Sequence, residues 1–88
     1  MDSSNFTLEL QREGYGTITT VTREPDGFLD THTHPFEAKA LILSGEISLV
    51  CHGQERLYRP GEVFHLAPAE PHSERYGPAG VTYLVGRK

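Results

Sequence analysis

Apolar and polar residues alternate over short stretches of this chain, and glycine or proline interrupts them every few positions. Alternation with a period of two is the mark of half-buried strands. Thr17 to Arg23, rich in β-branched residues, predicts a strand, and Glu24-Pro25-Asp26-Gly27 predicts a turn after it. Residues 36–43 predict a second strand that ends at Ser44-Gly45. Glu46 to Cys51 predicts a third, with Ile47 and Leu49 on one face. His52-Gly53 suits a two-residue hairpin turn, because both positions tolerate positive φ, and Gln54 to Arg59 returns along it. Pro60-Gly61 turns the chain again into a strand over Glu62 to Leu66, stopped by the stretch Ala67 to Pro71. His72 to Tyr76 and Val81 to Val85 complete the pattern, separated by Gly77-Pro78-Ala79-Gly80. So many short strands with turns between them predict a sandwich or barrel.

The beginning of the chain reads two ways. Phe6, Leu8 and Leu10 alternate as in a strand. Phe6 with Leu10, Ser4 as a cap and Gly14 as a stop read instead as a short helix, which is the favoured reading. The expected organisation is an N-terminal segment over residues 1–14 and one barrel domain over residues 15–88.

Composition narrows the function classes. Eighty-eight residues make one domain with a thin core, burying ~60–65% of its unfolded surface. A metal or a partner subunit would suit such a chain. Eight basic against twelve acidic residues give a net charge of −4, which argues against nucleic-acid binding. Cys51 is the only cysteine, so no intrachain disulfide forms and a reducing compartment fits. No apolar run approaches the ~20 residues that span a bilayer, and no secretory signal is visible, so the expectation is a cytoplasmic protein without a membrane partner.

Candidate chemistry lies in the histidines. His32 and His34 are two apart, so in extended chain both imidazoles share a face. His72 follows Pro71 far downstream. A His-x-His pair with one distant histidine suits a three-nitrogen metal site with open positions. Ala38, Ala40 and Ile42 share the parity of His34, and small residues there would leave a pocket beside the site, with Tyr76 and Tyr83 as further lining residues. Glu37 and His65 are the alternative ligands. Glu37 reads foremost as a surface charge beside Lys39, and His65 as a hydrogen-bonded strand residue. His52 is turn chemistry, and Cys51 a small buried hydrophobe. No Ser-His-Asp constellation, phosphate loop or Cys-x-x-Cys is present.

Two spaced motifs then carry a resemblance. Gly27 is followed by four residues, His32-Thr33-His34, three residues, Ala38, six residues and Gly45. Gly61 is followed by five residues, Ala67-Pro68-Ala69, two residues, His72, three residues and Tyr76. In this order and spacing the chain resembles the cupin superfamily over roughly residues 15–86. The resemblance implies an all-β fold, a single cupin jelly-roll barrel of two antiparallel sheets with a short N-terminal helix added. It also implies a divalent transition metal (Fe, Zn, Mn or Ni) on His32, His34 and His72, and a homodimer. Leu41 and Leu43, on the strand face opposite His34, are expected to meet the other sheet or a second subunit.

The departures from the pattern matter. The family's metal-binding glutamate falls on Ala38, and Glu37 is one residue out of register, so its side chain should point away unless a bulge follows Pro35. Tyr76 stands where the second motif has asparagine. A site of three neutral ligands would leave the ion its full charge and draw a small, anionic molecule. The resemblance thus implies a metal-dependent oxygenase or isomerase. The alternative is a non-enzymatic module that senses a small molecule, with no metal in one form of that reading.

Overall fold

The computed structural model describes residues 2–88. Met1, which belongs to the expected segment 1–14, lies outside the described residues. One helix and six strands follow in order: α1 Ser3–Arg12, β1 Thr17–Arg23, β2 Phe28–His32, β3 Ala38–Cys51, β4 Gln54–Tyr58, β5 Val63–Leu66 and β6 His72–Arg87. The two long strands β3 and β6 pair with each other and carry all the rest.

The N-terminal ambiguity resolves to helix. Asp2, not Ser4, is the cap: its carboxylate accepts from the Asn5 N–H at 2.8 Å, which leaves Ser4 inside the first turn. Phe6 and Leu10, one helical turn apart, are buried on Leu41 and Leu84, whereas Leu8 between them is 51% exposed. A strand would have put all three on one face. Leu41 therefore packs against this chain's own helix and is not available to a second subunit.

Each long strand is continuous where glycine-rich stretches predicted two. The cause is a register shift. β3 slips between Ile42 and Ser44 and again between Gly45 and Ile47. Its inward residues change from even (Ala38, Ala40, Ile42) to odd (Ile47, Leu49). In β6 they change likewise, from His72, Glu74 and Tyr76 to Val81, Tyr83 and Val85. A one-residue slip exchanges the faces of a strand, so both halves keep facing the core as the strands bend. The two strands approach closely at Gly45 (φ +72°), where a Cβ would lie 2.1 Å from the Gly80 carbonyl oxygen. Only glycine fits there.

The bend divides the strands into two antiparallel four-stranded layers. One joins β1, the end of β6, the start of β3 and β5. The other joins β2, the start of β6, the end of β3 and β4. The main core fills the space between them, with Ile42, Ile47, Phe64 and Val81 among its residues. β2 was not predicted as a strand. It is an edge strand, largely exposed, and so shows no alternation to read. No helix among the described residues is long and apolar enough to cross a membrane.

Candidate metal centre

The pairing of β2 with β6 sets His32 directly opposite His72. His34 follows two residues on, in the loop that leads to β3. That loop is tied to the segment before β6, where the Ala69 N–H donates to the His34 carbonyl at 2.7 Å. Glu70 orders the same segment by accepting from the Ala67 N–H at 2.8 Å. The result is one ligand atom from each of His32, His34 and His72, all within 4.8 Å of one another.

The tautomers of two rings follow from their partners. His32 Nδ1 lies 2.7 Å from the Asp30 carbonyl oxygen, and His72 Nδ1 lies 2.9 Å from that of Glu70. A carbonyl only accepts, so each Nδ1 carries the proton and each neutral ring keeps a lone pair on Nε2. Both Nε2 atoms are buried and have no hydrogen-bond partner. Orphaned buried acceptors are costly unless something binds them. Burial, together with the like charges that His32 and His72 would carry, pushes the His34 pKa down and favours the neutral, ligand-ready ring.

A residue that sequence reasoning missed completes the cluster. Glu74 alternates with His72 and Tyr76 on the inward face of β6 and is 8% exposed. Its Oε2 lies 3.4 Å from both His32 Nε2 and His72 Nε2. Its Oε1 accepts from the Tyr76 hydroxyl at 3.0 Å. The motif glycine Gly27 makes room for this tyrosine, since a Cβ there would stand 2.8 Å from the Tyr76 ring. Burial, with the negative charge of Glu74 beside them, pushes the Tyr76 and Tyr83 hydroxyls up to about 12. The signal was present in the sequence: Glu74 has the parity of His72, and a carboxylate on an inward face needs a reason.

His34 and His72 open on a cavity of about 40 Å³, lined among others by Ala38, Glu74, Tyr83 and Arg87. A single water needs ~10–15 Å³ by the same measure, so the space suits a few waters or one small ligand. Ala38 and Tyr83 line it. Ala40 does not, because it is fully buried in the core, and Tyr76 does not, because it stands behind Glu74. At the rim the His34 ring stacks on Phe36, and the Arg87 guanidinium covers Phe36 at 4.9 Å.

Glu37 and His65 are not ligands of this cluster. They pair with each other on the outer face, beside α1, and Glu37 also accepts from the Tyr15 hydroxyl at 3.1 Å. The hydrogen bond from His65 holds the Glu37 carboxyl below its usual range. Lys39 bonds Glu9 of α1 and the helix-capping Glu13, not Glu37.

No protein-family model matches the chain, and no curated protein matches it in sequence. Solved structures do. The polyketide cyclase RemF from Streptomyces resistomycificus aligns with 81% of the chain and 53% of its own, at 28% identity and a TM-score of 0.69. The DMSP lyase DddQ from Ruegeria pomeroyi aligns with 81% of the chain and 36% of its own, at 25% identity and a TM-score of 0.73. The Cupin_2 domain of an XRE family transcriptional regulator from Enterobacter cloacae aligns with 80% of the chain and 77% of its own, at 18% identity and a TM-score of 0.68. The chain has the cupin fold. It spans about half of the cyclase and about a third of the lyase. In this chain Ala38, the position where the resemblance expects a carboxylate, faces the cavity, and a different carboxylate, Glu74, faces the histidines.

Proposed function

We propose that this cupin binds a divalent transition metal (iron, zinc, manganese or nickel) through His32, His34 and His72 and admits a small anionic molecule to the cavity beside it. The observation that carries the reading is the pair of buried Nε2 atoms, on His32 and His72, without hydrogen-bond partners. Their tautomers are held from behind by backbone carbonyls, the arrangement that raises the basicity of a metal-binding imidazole. A bound metal supplies Lewis-acid activation or an anchor for oxygen, the chemistry of an isomerase or an oxygenase. Arg87 lines the cavity and stacks on Phe36, so its guanidinium is held near the entrance, where it would pair with an anionic ligand. The size of the cavity favours a ligand of few atoms.

The barrel of residues 15–88 is read as one domain with α1 covering its outer face. A homodimer belongs to the same reading. With Leu41 taken by α1, the surface that suits it is the outer row Phe28, Arg75, Ser48 and Leu57, which are in register across four strands. Phe28 and Leu57 are exposed in that row.

A non-enzymatic sensing module is the second reading, favoured by the likeness to the domain of a transcriptional regulator, of which the chain covers 77%. Metal analysis of the protein purified without a His-tag tests the first statement, and a turnover screen with Fe(II) and O2 separates the readings. Protein that takes up no divalent metal at neutral pH would overturn the metal site. Tight metal and anion binding with no turnover would support the sensing module.

A further inference from the structure

We infer that Glu74 is a fourth ligand to the metal, so that the carboxylate missing at position 38 is supplied from β6, across the cavity. This rests on the three-histidine reading and adds to it a donor, a charge and a position.

Distance is the first argument. Glu74 Oε2 is equally far, 3.4 Å, from His32 Nε2 and His72 Nε2. Two donors each ~2.1 Å from a shared ion stand ~3.0–3.4 Å apart. If a proton joined the carboxylate to an imidazole instead, the charge-assisted bond would draw them to ~2.7–2.9 Å. The spacing is that of atoms around an ion. It is not that of atoms bonded to one another.

Charge is the second. Glu74 is a buried carboxylate, and among the described residues its only ion-pairing partners are the two imidazoles. A single neutral hydroxyl, that of Tyr76, bonds its other oxygen. An ionised carboxylate held this way is expensive without a cation beside it. The orphaned Nε2 atoms need the same cation. One ion between the three groups satisfies all of them, and Tyr76 then fixes the free carboxylate oxygen.

Position is the third. Ala38 and Glu74 line the same cavity. Glu74 reaches the histidines from β6, and a glutamate at 38 would enter the same cavity from β3. With Glu74 bound, the metal keeps one positive charge instead of two, and Arg87 adds another at the entrance. The site therefore still favours an anion, and more of that preference rests on Arg87.

Isothermal titration of the untagged full chain with Co(II), read together with the visible absorption of the bound ion, tests this. Glu74→Gln keeps the size of the side chain and removes its charge. The expected result is a loss of affinity beyond the ~10–100-fold typical of a residue that only supports a ligand, together with a changed Co(II) spectrum. Adding Ala38→Glu to that variant should restore affinity, whereas in the parent it should change little. A spectrum unchanged by Glu74→Gln, with or without a loss of affinity, overturns the inference and leaves the three histidines standing. A parent that binds no Co(II) overturns the metal reading itself. Thermal unfolding of the metal-free variants shows that they fold. Should Glu74→Gln not fold, Glu74→Asp takes its place: it keeps the charge but withdraws it, and an unshifted spectrum there also overturns the inference.

Discussion

Two clusters in this protein use the same residue types and differ in whether they are complete. On the outer face His65 and Tyr15 each bond Glu37 directly, with Lys88 close by and Lys39 bound to Glu9 of α1 and to its C-cap Glu13. Every group has a partner, and water reaches most of them. On the inner face His32, His72 and Glu74 converge without bonding, and the facing nitrogens are buried with no partner. A histidine beside a carboxylate is thus no sign of a site. The sign is a set of donors aimed at one point and left unsatisfied there.

The strongest way to break the comparison is to remove one histidine from each cluster. His72→Ala should lower metal affinity by more than the ~10–100-fold cost of losing a supporting partner, and His65→Ala should leave it unchanged, both measured by titration of untagged protein. Equal losses would mean that the outer cluster also holds metal.

Next in size is the effect of the metal on stability. At about a hundredfold excess over Kd, a ligand that binds only the folded chain adds ~2.7 kcal/mol. For a domain of this size each ~1 kcal/mol raises Tm by roughly 4–8 °C, so thermal unfolding with and without Zn(II) should differ by well over 10 °C. No shift at saturation would mean that the histidines are not assembled as described.

Acid separates the clusters further. Metal affinity should weaken with acid, because only neutral imidazole binds, and the lowered His34 pKa carries its part of that loss to lower pH than an ordinary histidine would. The outer cluster responds lower. The Glu37 and Glu13 carboxyls are held below their usual 4.5, by bonds from His65 and Lys39. Folding gains from such groups above the unfolded value and loses that gain as pH falls through the folded one. Metal-free protein should therefore lose stability below 4.5, and less so in Glu37→Gln. An acid transition that does not move in this variant would refute the assignment.

The smallest effect belongs to the outer pair at neutral pH. Glu37→Ala breaks an ion pair that water screens, and the denaturant midpoint should shift only slightly, with metal content unchanged. Loss of metal in this variant would place Glu37 on the inner face.

Much of this was legible in the sequence, for reasons that can be named. β1 was readable because its β-branched run is bounded by turn residues at both ends. The His32 and His34 pair could be joined to His72 because the motif spacing carried what composition could not. β2 was not readable because an exposed edge strand has no buried face to impose alternation. The continuity of β3 and β6 was hidden because glycines that usually end strands here allow two strands to bend past each other. Glu74 is hidden because the resemblance places the carboxylate at position 38. The inward parity of His72, Glu74 and Tyr76 was nevertheless open to inspection.

The pairing of His32 with His72 has a mechanical side. β2 is an edge strand whose sheet partner is β6 alone, and its register slips between Leu29 and His32. An ion shared by His32, His34 and His72 would work as a clasp across that seam, joining β2, the following loop and β6. Loading the site then closes a long loop of chain as a cross-link does. Without an ion, β2 would be held to the barrel chiefly by its backbone pairing with β6.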